Sequence, residues 1–163
     1  MLLFNRVALQ TVIRRGRIMQ VDQTAEQAAA IAAAETWLAL VDAGDSAQSW
    51  NQASSRSKSG IQTRWLNISG GSEQQWQSGL ADIQIQFGRA VSRNLKSKQY
   101  AEHLPYEPEG KYVVLKYETS FERYNGVETV TLLKENDGAW RVSSYKVVLG
   151  WVSILLNGSA SRY

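Results

Sequence analysis

The sequence predicts an α+β domain, with N-terminal helices packed on a four-stranded antiparallel sheet. Apolar residues recur at helical spacing as far as Phe87, and beyond Gly88 the spacing becomes two. Two turn signals, Asn125-Gly126 and Asn136-Asp137-Gly138, separate the later alternating segments, as in a hairpin-linked sheet. A chain of 163 residues, 44% hydrophobic and 20% charged, is large enough to bury one full core.

The first helix is predicted to open at Thr24, because Gln27 three residues later completes a capping box. Ile31, Ala34, Leu38 and Val41 then share one face, widened by Trp37 and Leu40, and Gly44 stands where a C-terminal cap belongs. A short second helix around residues 47–53 buries Trp50. Ser54 to Gly60 reads as a Ser-rich loop with Arg56 and Lys58 in solvent. Ile61 to Ile68 is too short and mixed to assign, and Ser69-Gly70-Gly71 breaks the chain. Ser72 with Gln75 repeats the capping signal for a helix carrying Trp76, Leu80, Ile83 and Phe87 on one face, stopped by Gly88.

Four strands follow, at about Arg89–Tyr100, Lys111–Arg123, Val127–Lys134 and Ala139–Leu149, the last three forming a meander through the two turn signals. In the second strand Val113, Leu115, Tyr117, Thr119 and Phe121 share the face that meets the helices, and Tyr112, Val114, Lys116, Glu118 and Ser120 the other. The expected core joins Trp37, Leu38, Trp76, Leu80, Leu115, Tyr117, Phe121, Trp140 and Val142.

Composition removes several function classes. The absence of Cys excludes disulfide scaffolds, Cys-ligated zinc and thiol nucleophiles, and a single His excludes a multi-histidine metal site within the chain. The net charge of +3 comes from the first 20 residues, where Arg6, Arg14, Arg15 and Arg17 meet no acid; of the 18 basic residues, the 14 others face 15 acidic ones. The domain is therefore not basic, and no nucleic-acid partner is expected. Residues 1–20 contain no apolar run long enough to span a bilayer, and their charges follow the apolar residues instead of preceding them as in a secretory signal. They read as a basic extension, or as sequence upstream of a natural start at Met19. The organisation expected is an extension over 1–22, one domain over 23–149 and an apolar tail over 150–163.

The ordered series Ala34-Glu35-Thr36-Trp37-Leu38-Ala39-Leu40-Val41-Asp42-Ala43-Gly44-Asp45, Ser49-Trp50, Glu73-Gln74 with Trp76, Gly88-Arg89, Leu104-Pro105, Tyr112-Val113-Val114, Thr119-Ser120-Phe121, Val127-Glu128-Thr129-Val130-Thr131 and Trp140-Arg141-Val142-Ser143 with Tyr145 resembles the bacterial domain-of-unknown-function 4019 family over residues 26–148. The resemblance implies a nuclear-transport-factor-2-like, cystatin-like α+β fold, in which a curved antiparallel sheet wraps a long helix. It brings no catalytic residues. It also implies export to the periplasm, for which residues 1–20 supply no cleavable signal, so a cytoplasmic location stays open. The stretch Arg56–Ser69 is longer than its family counterpart. The tail beyond Leu149 adds Trp151, Val152, Ile154, Leu155 and Leu156 with no charge before Arg162, and such an apolar segment calls for a partner surface. That surface is either the N-terminal segment around Leu2–Leu9 or a twofold-related copy, giving self-association through the tail.

Candidate chemistry is sparse. His103 beside Glu102 reads as an exposed loop histidine, since neighbours in sequence rarely face one point. Glu118, Glu128 and Lys116 could line a concave sheet face, with Tyr145 or Tyr117 as hydrogen-bond donor, although alternating charges on strands are usually a solvated face. The Trp residues at positions 37, 50, 76 and 140 fall at core positions rather than in a ligand cage. The sequons at Asn67 and Asn157 carry meaning only in a glycosylating secretory pathway. No phosphate loop, nucleophile elbow or metal-ligand spacing is present, so neither cofactor nor metal is expected. The reading is a non-catalytic module that binds a small apolar ligand or a protein partner. The alternative is a small acid/base enzyme using a carboxylate in a sheet-lined pocket, with Glu118, Glu128 and Tyr145 as candidates.

Overall fold

The computed structural model describes residues 4–59 and 71–150, with side chains from Gln23 onward. Helix α1 spans Phe4–Asp42, α2 Ser46–Asn51, α3 Ser55–Lys58 and α4 Glu73–Phe87. Strands β1 (Ala90–Ala101), β2 (Tyr112–Phe121), β3 (Asn125–Lys134) and β4 (Trp140–Leu149) form one antiparallel sheet in the order β1-β2-β3-β4. This is the helices-then-sheet α+β arrangement expected, with the first strand continuing the meander.

Helix α1 does not begin at Thr24. The backbone is helical from Phe4, so Thr24 lies inside the helix. Residues 4–23 hold no Pro, and the single Gly16 costs about 1 kcal/mol relative to Ala, too little to stop a helix. The other end is as expected: the Asp45 N–H bonds to Leu40 O (2.9 Å) and the Gly44 N–H to Val41 O (3.0 Å), while Gly44 adopts φ +74°. This double bond over a left-handed residue is the Schellman motif. Helix α4 starts with both halves of the Ser72/Gln75 capping box and stops at Gly88, φ +79°.

The Ser-rich stretch after α2 is not a plain loop. Ser54 caps the single turn of α3, accepting from the Ser57 N–H, and the Glu135 carboxylate receives the Ser55 N–H (2.6 Å) and hydroxyl (2.9 Å) at the same end. Ser54 N–H and the Ser57 hydroxyl both donate to Val142 O, at 2.9 and 3.2 Å, so α3 is pinned to the edge of β4. Nor are its cations simply solvated: Arg56 Nε pairs with Glu107 at 2.9 Å, with both side chains largely buried, and Lys58 Nζ donates to Asn51 O. Serine's capacity to cap is what composition alone misreads as loop.

The two hairpin signals part company. Asn136-Asp137-Gly138 turns the chain, with Gly138 at φ +82° and the Glu135 N–H bonded to Ala139 O. Asn125-Gly126 does not, because both residues already belong to β3, opposite Ser120 and Thr119. The turn precedes them and is closed by Phe121 N–H to Tyr124 O (2.9 Å). Gly126 serves packing instead: a Cβ there would stand 3.1 Å from both Phe121 Cε2 and Val148 O.

All nine expected core residues are buried in one cluster between the helices and the inner sheet face. Trp37 meets Trp76 and Tyr145 edge-on at 5.8 and 5.2 Å, and half-buried Trp50 packs on Trp76. Ser49 supplies acceptors to both buried indoles, its carbonyl to Trp37 Nε1 and its hydroxyl to Trp76 Nε1. At the other end of the α1–sheet contact, Glu26 accepts from Lys134 Nζ and Trp140 Nε1, with Lys111 Nζ at 3.8 Å. Ile61–Ile68 and the tail from Trp151 lie outside the described residues, as do the side chains of the basic extension.

Candidate functional site

The inner face of the sheet is apolar except along one line that crosses all four strands. Period-two geometry and the sheet register bring together Arg93 of β1, Thr119 of β2, Glu128 of β3 and Tyr145 of β4, with Asp42 closing the row from the last turn of α1. Glu128 sits among Val130 and Leu132 on that face and has no solvent exposure. A charge so placed must be paired and hydrogen-bonded.

It is satisfied on both oxygens. Arg93 donates from Nε to Glu128 Oε2 (2.6 Å) and from Nη2 to Oε1 (3.1 Å). The Thr119 hydroxyl donates to Oε2 and the Tyr145 hydroxyl to Oε1 (2.5 Å). The two terminal nitrogens of Arg93 also grip Asp42 bidentately, Nη2 reaching Oδ1 at 2.7 Å. Burial by itself would lower the Arg93 pKa, but the hydrogen bonds to Asp42 and Glu128 outweigh it and hold the guanidinium above its ordinary value. Burial first, and then the Glu128 charge, raises the Tyr145 phenol well above the usual range. Beside them, Tyr117 Oη is buried without a hydrogen-bond partner, and burial together with the charges of Glu35 and Glu128 pushes its pKa up to about 12.

A cleft of about 170 Å³ opens against this row between the end of α1, α4 and the start of β1. Leu80, Ile83, Ala90 and Phe121 give it apolar walls, Asp42, Arg93 and Tyr145 a polar one, and Ser46, Gln77, Gln84 and Arg89 add further polar lining. A wider, shallower groove of about 500 Å³ between α1 and the start of β4 holds Trp37 and Trp140 but none of this row.

The two carboxylates named from sequence do not converge. Glu128 faces inward, whereas Glu118 is exposed on the opposite face and paired with Lys96 at 2.9 Å, beside exposed Lys116. Tyr145 does join Glu128. His103 is an exposed loop residue, and Glu102 accepts from Tyr100 instead. Sequence reading missed Asp42, Arg93 and Thr119. The available signal was Glu128 itself, an acid in an apolar register that demands a buried cation. Among the described residues no group of three or more His, Cys, Asp or Glu is placed to hold a metal ion, and no helix is long and apolar enough to cross a membrane.

The family model described as "Protein of unknown function (DUF4019)" matches residues 33–145, well over half of the chain. The chain belongs to the DUF4019 family. All five residues of the polar row fall inside the matched segment of this DUF4019 protein. No match to a curated protein is found. The DUF4019 chain is also similar to a solved structure assigned as a ketosteroid isomerase, from Shewanella frigidimarina NCIMB 400. The two share 15% identity and a TM-score of 0.43 over 74% of this chain and 94% of that one.

Proposed function

We propose that this protein is a non-catalytic module that binds a small, largely apolar ligand in the cleft between α1, α4 and β1. The observation that carries the reading is the state of Glu128. Its two oxygens already accept four hydrogen bonds, the full capacity of a carboxylate, so it has no lone pair to offer a substrate proton. Asp42, the acid that lines the cleft, has each of its oxygens held by a terminal nitrogen of Arg93. The part of the network formed by Arg93, Thr119, Glu128 and Tyr145 is therefore a strut across the four strands, while the apolar walls of the cleft offer contact area.

The test is thermal-shift and ligand-observed NMR titration with 1-hexanol. Wild type should bind and be stabilised, and Ala81→Trp, which fills the cleft from an exposed position on α4, should lose both effects while keeping its own fold. Equal responses from the two proteins, or none from either, would refute the reading.

A further inference from the structure

The guanidinium of Arg93 serves two carboxylates, and they are not equivalent. Glu128 has no exposure and balances the charge of Arg93 in the interior. Asp42 is the second acid on one cation; its side chain is 38% exposed, and both it and Arg93 line the cleft. Asp42 is also the last residue of α1, where the negative end of the helix dipole disfavours an acid. It is the partner Arg93 can release at least cost, since the Arg93–Glu128 pair stays neutral without it.

We propose that the outer edge of the Arg93 guanidinium, which Asp42 covers in this structure, is an anion subsite, and that the cleft takes a small monocarboxylate with an apolar body. This rests on the ligand-binding reading above and adds the chemical class of the ligand. A ligand carboxylate presents the same planar pair of oxygens that Asp42 presents now, so it replaces that bidentate contact with one of equal geometry. Its hydrocarbon part then lies along Leu80, Ile83 and Phe121, while Asp42 turns into the solvent it already touches. Asp42 thus competes with the ligand and holds the affinity down.

The experiment compares hexanoate with 1-hexanol on wild type, Asp42→Ala, Asp42→Asn and Ala81→Trp, by calorimetric titration at low salt. Asp42→Ala should bind hexanoate about tenfold more tightly than wild type, with the gain shrinking as salt is added, and 1-hexanol should bind both proteins alike. Asp42→Asn, which keeps the shape and loses the charge, should also gain. A gain in affinity cannot arise from misfolding. If both ligands bind, Ala81→Trp blocks them and neither Asp42 variant favours hexanoate, the anion subsite is wrong and the cleft reading stands. If neither ligand binds any of the proteins, the cleft reading fails and the subsite with it.

Discussion

Two glutamates tie α1 to the sheet, one at the rim and one at the centre. Glu26 sits near the β3–β4 turn, where Lys134, Lys111 and the Trp140 indole meet it and water reaches the cluster. Glu128 lies under the end of α1, out of contact with water, and reaches the helix through Arg93 and Asp42. The ion-pair chemistry is alike; the surroundings are not. At the rim each group trades water for a partner and gains little, whereas in the interior the pair is worth no more than its desolvation, yet removing one member strands the other. The rim contact adjusts stability, whereas the central one carries a larger share of it by holding the four strands around one buried carboxylate.

That difference is open to direct challenge. Glu128→Leu should have the largest effect, about 3 to 5 kcal/mol in urea titration, because it leaves Arg93 Nε and two hydroxyls without an acceptor in the interior, with Asp42 alone still pairing the guanidinium. A loss no greater than that of a rim variant would break the comparison. Tyr145→Phe keeps the ring against Trp37 and removes one donor to the buried carboxylate, so about 1.5 to 3 kcal/mol should go with little change in the aromatic circular dichroism. Glu26→Gln should lose least, about 0.5 to 1 kcal/mol at neutral pH. Its pH dependence sharpens the point. The hydrogen bond from Lys134, aided by Trp140 and the lysine charges against the opposing effect of burial, holds the folded pKa of Glu26 below its ordinary value of 4.5. Its contribution is therefore complete above the ordinary carboxylate range and fades as pH falls through the lowered folded value. Wild type and Glu26→Gln should accordingly differ at pH 7 and converge in acid; a constant gap would mean that the charge is not what Glu26 supplies.

Much of this architecture could be read from residue spacing. The change of period at Gly88, the Ser72/Gln75 box and the apolar face of β2 each act over a few neighbouring residues, and each led to the right element. The site was less legible because its members are distant in sequence and one of them sits in an irregular strand. β1 pairs with β2 through two register shifts, so Arg93 and Leu95 face inward on one parity and Tyr100 on the other. Counting by twos along Arg89–Tyr100 therefore assigns no consistent face and hides Arg93. Asn125-Gly126 misled for a different reason: a glycine needed for positive φ and one needed for close packing look the same until the neighbouring strands are in place. Glu118 and Glu128 are both acids on adjoining strands, but Glu118 stands opposite Val127 and Glu128 opposite Tyr117, so they point to opposite faces.

The irregularity of β1 has a further effect at the sheet's margin. Among the described residues no strand pairs with the outer edge of β1, while part of the β4 edge is covered by α3 through Ser54 and Ser57. An open edge invites a strand from another molecule, yet that strand needs an even row of donors and acceptors along its length. The two shifts cut β1 into short segments, and Lys96 and Lys98 set positive charge beside the second shift. Among the described residues, edge-to-edge growth of the sheet is thus opposed along part of one margin by a covering turn of helix and along the other by interrupted spacing.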